Sequence, residues 1–94
     1  MSDLKSRFLI KGFYTADITV GAGAAANVKA SVATTGYTLL FATQAWSTVS
    51  DVLGQGCTFS FGGSEVTVAV KNIGSSTKTA KYYVYCLFIK NGQS

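Results

Sequence analysis

The chain has 94 residues, 48% hydrophobic and 13% charged, with eight Lys and Arg against four Asp and Glu and no histidine. A chain of this length makes one domain with one modest core, and its apolar content excludes a disordered polymer. The absence of histidine removes the commonest general base and metal ligand, and no segment approaches the ~20 apolar residues that cross a bilayer as a helix. Glycines punctuate the chain, and the short runs between them alternate with a period of two, the pattern of an all-β sandwich or barrel. RFLIK is the first run, with Phe8 and Ile10 on one face, and Gly12 reads as the turn after it. FYTADITV follows as a second strand, with Ala16, Ile18 and Val20 on one side and Thr15, Asp17 and Thr19 on the other. NVKASVAT repeats the pattern with Val28, Ala30 and Val32, and YTLLFAT, from Tyr37, is more continuously apolar.

TQAWSTVSDVLG breaks the scheme: Trp46, Val49 and Leu53 stand at near-helical spacing and Gly54 is placed to stop a helix. The β-branched Thr48, Val49 and Val52 and the interruptions at Ser47 and Ser50 favour an ordered loop carrying Trp46 over a short helical turn. Gly54 and Gly56 then read as a turn before CTFSF, which places Cys57, Phe59 and Phe61 on one side. EVTVAVKN is the cleanest strand, with Val66, Val68 and Val70 inward. NIGSSTKT has the Gly and Ser content of a hairpin loop joining that strand to the last one, KYYVYCLFIK. The expected fold is a single antiparallel β-sandwich over residues 1–94.

The elements of a catalytic site are missing or isolated, so no enzyme activity, metal or cofactor is expected. The carboxylates Asp3, Asp17, Asp51 and Glu65 fall in four different segments. Cys57 and Cys86 lie inside strand-like runs without CxxC spacing and read as small buried hydrophobes; the sequence does not fix whether they pair. KGFYTA matches only the opening of an RNA-recognition signature and departs at Tyr14, and GAGAAAN lacks the GxGxxG spacing of a phosphate loop. Lys5, Arg7 and Lys11 near the start and Lys71, Lys78 and Lys81 near the end are too dispersed for a nucleic-acid stripe, so nucleic acid is not an expected partner. The start, MSDLKSRFLIKG, has no long apolar core of signal-peptide type. The expectation is a soluble protein made in a cytoplasm.

The segment Lys81–Lys90 carries the functional signal. Tyr82, Val84, Cys86 and Phe88 fall on one face of the strand and Tyr83, Tyr85, Leu87 and Ile89 on the other, so both faces are apolar where a half-solvated strand alternates. With the first face in the core, the second makes a patch of several hundred Å², and covering it is worth on the order of ten kcal/mol per chain before association costs. One cover is the chain's own N-terminal segment, with Leu9 and Phe13 lying over the face; the other is a set of identical neighbours around a symmetry axis. A chain this short has little left to build a second layer, which favours a closed cyclic homo-oligomer. Tyr83, Tyr85, Leu87 and Ile89 are the candidate subunit contacts, with Phe8 and Phe13 as additions. Trp46 and Tyr37 are the candidates for an exposed ligand surface, and a core position also suits a tryptophan.

The C-terminal third, VTVAVKNIGSSTKTAKYYVYCLFIK, from Val66 to Lys90, resembles a pattern in phage and prophage structural proteins. There a Val-rich strand ends in Asn, a short Gly/Ser/Thr turn follows, and a long apolar strand closes the chain. It is similar to the small, jelly-roll-like β-sandwich domains at the ends of tail-fibre, head-fibre and baseplate receptor-binding proteins. The resemblance implies a non-enzymatic component of the virion, made in the host cytoplasm, trimeric and bound to other virion proteins. A capsid decoration or cement protein, a fibre, or a tail-associated adaptor are the roles it covers; the alternative is a receptor- or carbohydrate-binding module for host surface glycans. A chain that starts at Met1 and fits within one domain favours the standalone decoration, cement or adaptor role over an elongated fibre. The resemblance assigns no binding residue.

Overall fold

The computed structural model describes residues 7–92. They form eight β-strands: β1 (Phe8–Tyr14), β2 (Ile18–Val20), β3 (Ala25–Ser31), β4 (Tyr37–Ser47), β5 (Val52–Thr58), β6 (Glu65–Asn72), β7 (Lys78–Ala80) and β8 (Tyr82–Lys90). All pairings are antiparallel. Two three-stranded sheets, β1-β8-β4 and β3-β6-β5, share one core, and β2 and β7 form a short ribbon beside them. The fold is all-β, as the alternation predicts.

The core forms where the two central strands, β6 and β8, turn their regular faces to each other. Val66, Val68 and Val70 of β6 are fully buried together with Val84, Cys86 and Phe88 of β8. Leu39 and Ala42 of β4, Val28 and Ala30 of β3, and Val52 of β5 close the same cluster. Burying each large apolar side chain stabilises the fold by ~1.5–3 kcal/mol. β-Branched valines suit this position because they pack well on a pleated surface.

β6 and β8 are not the hairpin that NIGSSTKT suggests, since they lie in different sheets. The chain between them first pairs β7 with β2 and then crosses to the opposite sheet. Asn72, fully buried, holds the start of this crossover: its Nδ2 donates to Val20 O at 2.9 Å and Ser76 O at 2.8 Å, and its Oδ1 accepts from Gly74 N at 2.8 Å. Thr15 performs the matching task between β1 and β2. Its buried Oγ1 accepts from Tyr82 N at 2.8 Å and donates to Ala16 O at 2.9 Å, while Thr15 N donates to Tyr82 O. FYTADITV is therefore two strands with a break at residues 15–17, where the β1–β8 pair gives way to the β2–β7 ribbon.

Three glycines read as turns lie inside strands. Gly12 faces Tyr85 in the middle of β1, and Gly54 and Gly56 belong to β5. A Cβ at Gly12 would collide with the Tyr83 ring, and one at Gly54 with the Tyr82 hydroxyl; each position is filled by a neighbouring tyrosine instead. CTFSF is only partly a strand, because β5 ends at Thr58 and Phe61 stands exposed in the following turn. β4 runs through Ser47, so residues 44–53 hold a strand end, a turn and the start of β5.

Candidate functional site

The register of β1, β8 and β4 assembles the outer face of their sheet in four rows. Phe8, Ile89 and Thr38 form one end row, followed by Ile10, Leu87 and Phe41, then Gly12, Tyr85 and Thr43, and finally Tyr14, Tyr83 and Trp46. No charged side chain occupies any of these positions. Phe8, Ile10, Tyr14, Phe41, Trp46 and Tyr85 are each between 39% and 73% exposed. Aromatic side chains present ~150–250 Å² each, so this face leaves on the order of 600 Å² of apolar surface in water. That is at the upper limit for an isolated monomer, ~300–600 Å².

Two β-bulges in β4 create this face. The register shifts between Leu39 and Phe41, and again between Gln44 and Trp46. A one-residue shift sends every later side chain to the opposite face. Leu39 and Ala42 thus both point inward while Phe41 points out, and Trp46 points out although Gln44 points in. A third shift, between Gly54 and Gly56 in β5, turns Cys57 toward the interior, where its Sγ lies 3.5 Å from Ala42 O.

The two ends of the face differ chemically. One end, Phe8, Ile10, Leu87, Ile89 and Phe41, is hydrocarbon apart from Thr38, whose hydroxyl donates to Asn91 Oδ1. The other end is a cluster of four aromatic rings centred on Tyr83. Trp46 stacks on Tyr83 at 4.5 Å with planes 20° apart, and Tyr14 and Tyr85 meet Tyr83 edge-on at 4.7 and 5.2 Å. Trp46 also meets Tyr85 at 5.8 Å. Each such contact is worth ~0.5–1.5 kcal/mol beyond area burial.

Tyr83, Tyr85, Leu87, Ile89 and Phe8 all lie on this outer face. Phe13 does not. It is an odd number of residues from Phe8 in the same strand, so it points to the other side, where its ring meets Phe88 edge-on at 6.1 Å. Leu9 packs against the core in the same way. Among the described residues, the N-terminal segment stands beside β8 as β1 and does not lie over it. Ile10, Tyr14 and Phe41 complete the face and were not singled out by sequence. The alternation of Phe8 with Ile10 held the signal for the first, whereas Phe41 depends on a bulge that no residue pattern announces.

Trp46 is exposed and not in the core. Tyr37 is half-buried, its ring edge-on to Phe88 at 6.4 Å, and it lines a shallow pocket of about 220 Å³ with Gly62 and Gly63. It is 9 residues before Trp46, near the opposite end of the same strand, so the two candidates form no common surface. Cys57 and Cys86 are both free thiols. Burial, reinforced by the neighbouring Cys57, pushes the Cys86 thiol up from 9.0 to about 11. Among the described residues, no three His, Cys, Asp or Glu side chains gather as metal ligands.

The opposite outer face supplies a comparison within the molecule. On β3-β6-β5 the outward positions are Ala25, Asn27, Lys29 and Ser31, then Glu65, Thr67, Ala69 and Lys71, then Leu53, Gly56 and Thr58. Apart from exposed Leu53 at its edge, this face is small and polar, with a Lys29–Glu65 ion pair at 3.7 Å across it. Comparison with models of protein families, with curated proteins and with solved structures finds no match to the chain.

Proposed function

We propose that the protein is a non-enzymatic structural component of a phage particle, a jelly-roll-like sandwich that assembles with copies of itself and with other virion proteins. The single observation that carries self-association is the uncharged outer face of β1-β8-β4, set against the polar outer face of β3-β6-β5. Its exposed area, on the order of 600 Å², approaches the ~800 Å² per partner of a standard stable interface. Half-buried Tyr83, Leu87 and Ile89 between the exposed residues extend it further. Identical copies around a closed axis suit such a face, because one patch then serves every subunit. The virion assignment and the trimeric state come from the resemblance of Val66–Lys90 to phage fibre and decoration domains. In this reading the protein acts by stoichiometric binding as a decoration, cement or tail-associated adaptor protein.

Light scattering coupled to size exclusion at micromolar concentration tests it. The expected mass is a small multiple of 9.9 kDa, and Ile10→Asp, which sets a carboxylate among the hydrocarbon rows, shifts it to the single-chain value. A wild-type protein that elutes as a clean monomer removes the self-association reading. Mass spectrometry of purified particles tests the virion role separately, and absence of the chain from them overturns it.

A second reading is favoured by the exposure of Trp46. A host-glycan or receptor-binding module presents accessible aromatic rings to sugar faces, and a core tryptophan would have counted against it. Binding of glycans that changes the Trp46 fluorescence supports this reading.

A further inference from the structure

We propose that the notch between the end of β4 and the start of β5 is a pocket for one ring of a neutral sugar. This deepens the glycan reading and rests on it. Trp46 gives one face of its indole to Tyr83 of β8. Because the two rings are nearly parallel, the other indole face is turned away from β8, toward the β5 side of the strand. A pocket of about 280 Å³ lies there, lined among others by Trp46, Ser47, Ser50, Leu53, Gly54 and Tyr82. Ligand clefts begin at ~300 Å³, so the space suits a single ring and not a folded chain.

The notch also has polar groups for such a ring, the Tyr82 phenol and the Ser50 hydroxyl among its lining. A Cβ at Gly54 would collide with the Tyr82 hydroxyl and Gln44 Oε1, so these two side chains fill the space beside the glycine, and of the two it is Tyr82 that lines the notch. Behind Tyr82, Gln44 Nε2 reaches Gly54 O at a long 3.4 Å, and its buried Oε1 has no partner among the described residues. An orphaned buried acceptor costs ~1–3 kcal/mol and is uncommon in native proteins. An aromatic wall for the C–H face of a sugar, with the hydroxyls of Tyr82 and Ser50 beside it, matches the amphipathic character of a pyranose. Among the described residues no Asp, Glu, Lys or Arg lines the notch, which argues against an anionic sugar or a phosphate.

The test is a titration with glucose, galactose, mannose and N-acetylglucosamine, and with their trisaccharides. Quenching of Trp46, the only tryptophan, and saturation-transfer NMR report binding. At least one probe is expected to saturate in the millimolar range. Leu53→Glu, which narrows the mouth, and Tyr82→Phe, which removes only the hydroxyl, each weaken it about tenfold, the worth of one polar contact. Thr67→Ser, on the opposite outer face, leaves the affinity unchanged. A sugar that binds Leu53→Glu and Tyr82→Phe as tightly as wild type overturns the notch while the glycan reading stands. If none of the sugars binds, both fail.

Discussion

Replacing Asn72 by alanine isolates the device that lets the chain pass from one sheet to the other. The side chain makes three hydrogen bonds, of which the one to Val20 O is fully buried and those with Ser76 O and Gly74 N are partly so. Water can take over the partly buried pair, at ~0.5–1 kcal/mol each, but the Val20 carbonyl loses its partner at ~1–3 kcal/mol. The expected loss is about 3 kcal/mol, a large share of the ~5–15 kcal/mol that holds a domain together. At ~4–8 °C per kcal/mol for a chain this size, the melting temperature falls by roughly 12–24 °C. Thermal and urea unfolding followed by circular dichroism measure it, at one fixed protein concentration because self-association raises apparent stability. Asn72→Asp sharpens the test. The carboxylate keeps the Gly74 N–H but faces two carbonyl oxygens without a donor, so its pKa rises above the usual ~3.9. The folded form then binds more protons than the unfolded one, and stability falls as pH rises through that interval. This variant is expected to be more stable, relative to wild type, at pH 4 than at pH 7. An Asn72→Ala protein within ~1 kcal/mol of wild type would refute the assignment of the crossover to this side chain.

Gly12→Ala is expected to displace the Tyr83 ring from β1 and so break its stack with Trp46, seen as a loss of near-ultraviolet circular dichroism at unchanged far-ultraviolet signal; an intact aromatic spectrum counts against it. Alkaline titration should show stability falling as pH rises from 9 toward 11, because Cys86 is raised from 9.0 to about 11 by burial and ionises first in the unfolded chain. Tyr82, also raised by burial, acts in the same direction above its ordinary 10.0; a Cys86→Ala variant with the same alkaline profile would remove the cysteine's share. Iodoacetamide at pH 8 should label the native protein no faster than the rate of opening at Cys86, while half-buried Cys57 is the thiol within reach; rapid double labelling contradicts the packed position of Cys86.

What the residues disclose depends on how far each segment's structure is local. EVTVAVKN and KYYVYCLFIK are legible because a period of two in β-branched and aromatic residues survives any context, and Val28, Ala30 and Val32 follow the same rule. Gly12 and Gly54 mislead for a physical reason. Glycine in a strand is disfavoured unless something else fills the Cβ space, and here Tyr83 and Tyr82 do so from other strands. The Asn72–Ala80 stretch has the composition of a hairpin loop, yet Lys78–Ala80 finds a better partner in Ile18–Val20, some sixty residues earlier. Long-range pairings of that kind leave no trace in local composition.

The candidate surface was half legible, and the half that was not explains why Trp46 stands outside. Alternation within β8 alone yields Tyr83, Tyr85, Leu87 and Ile89, because that strand has no bulge and its two faces never exchange. β4 exchanges faces twice, so counting residues from buried Leu39 sends Phe41 inward, and counting from inward Gln44 does the same to Trp46. Bulges cost ladder hydrogen bonds and are typically placed where a side chain must be re-aimed. In this sheet each one moves an aromatic ring from the core side to water, which core stability alone gives no reason to do. The other outer face, built by the same chain under the same composition, carries Thr, Ala and Lys at the corresponding positions. Phe61, exposed in the turn after β5, stands apart from it, but between the two sheet faces the contrast makes the rows of exposed aromatics a property of one face and not a by-product of a hydrophobic sequence. That is the physical ground for placing the proposed subunit contact along β1, β8 and β4.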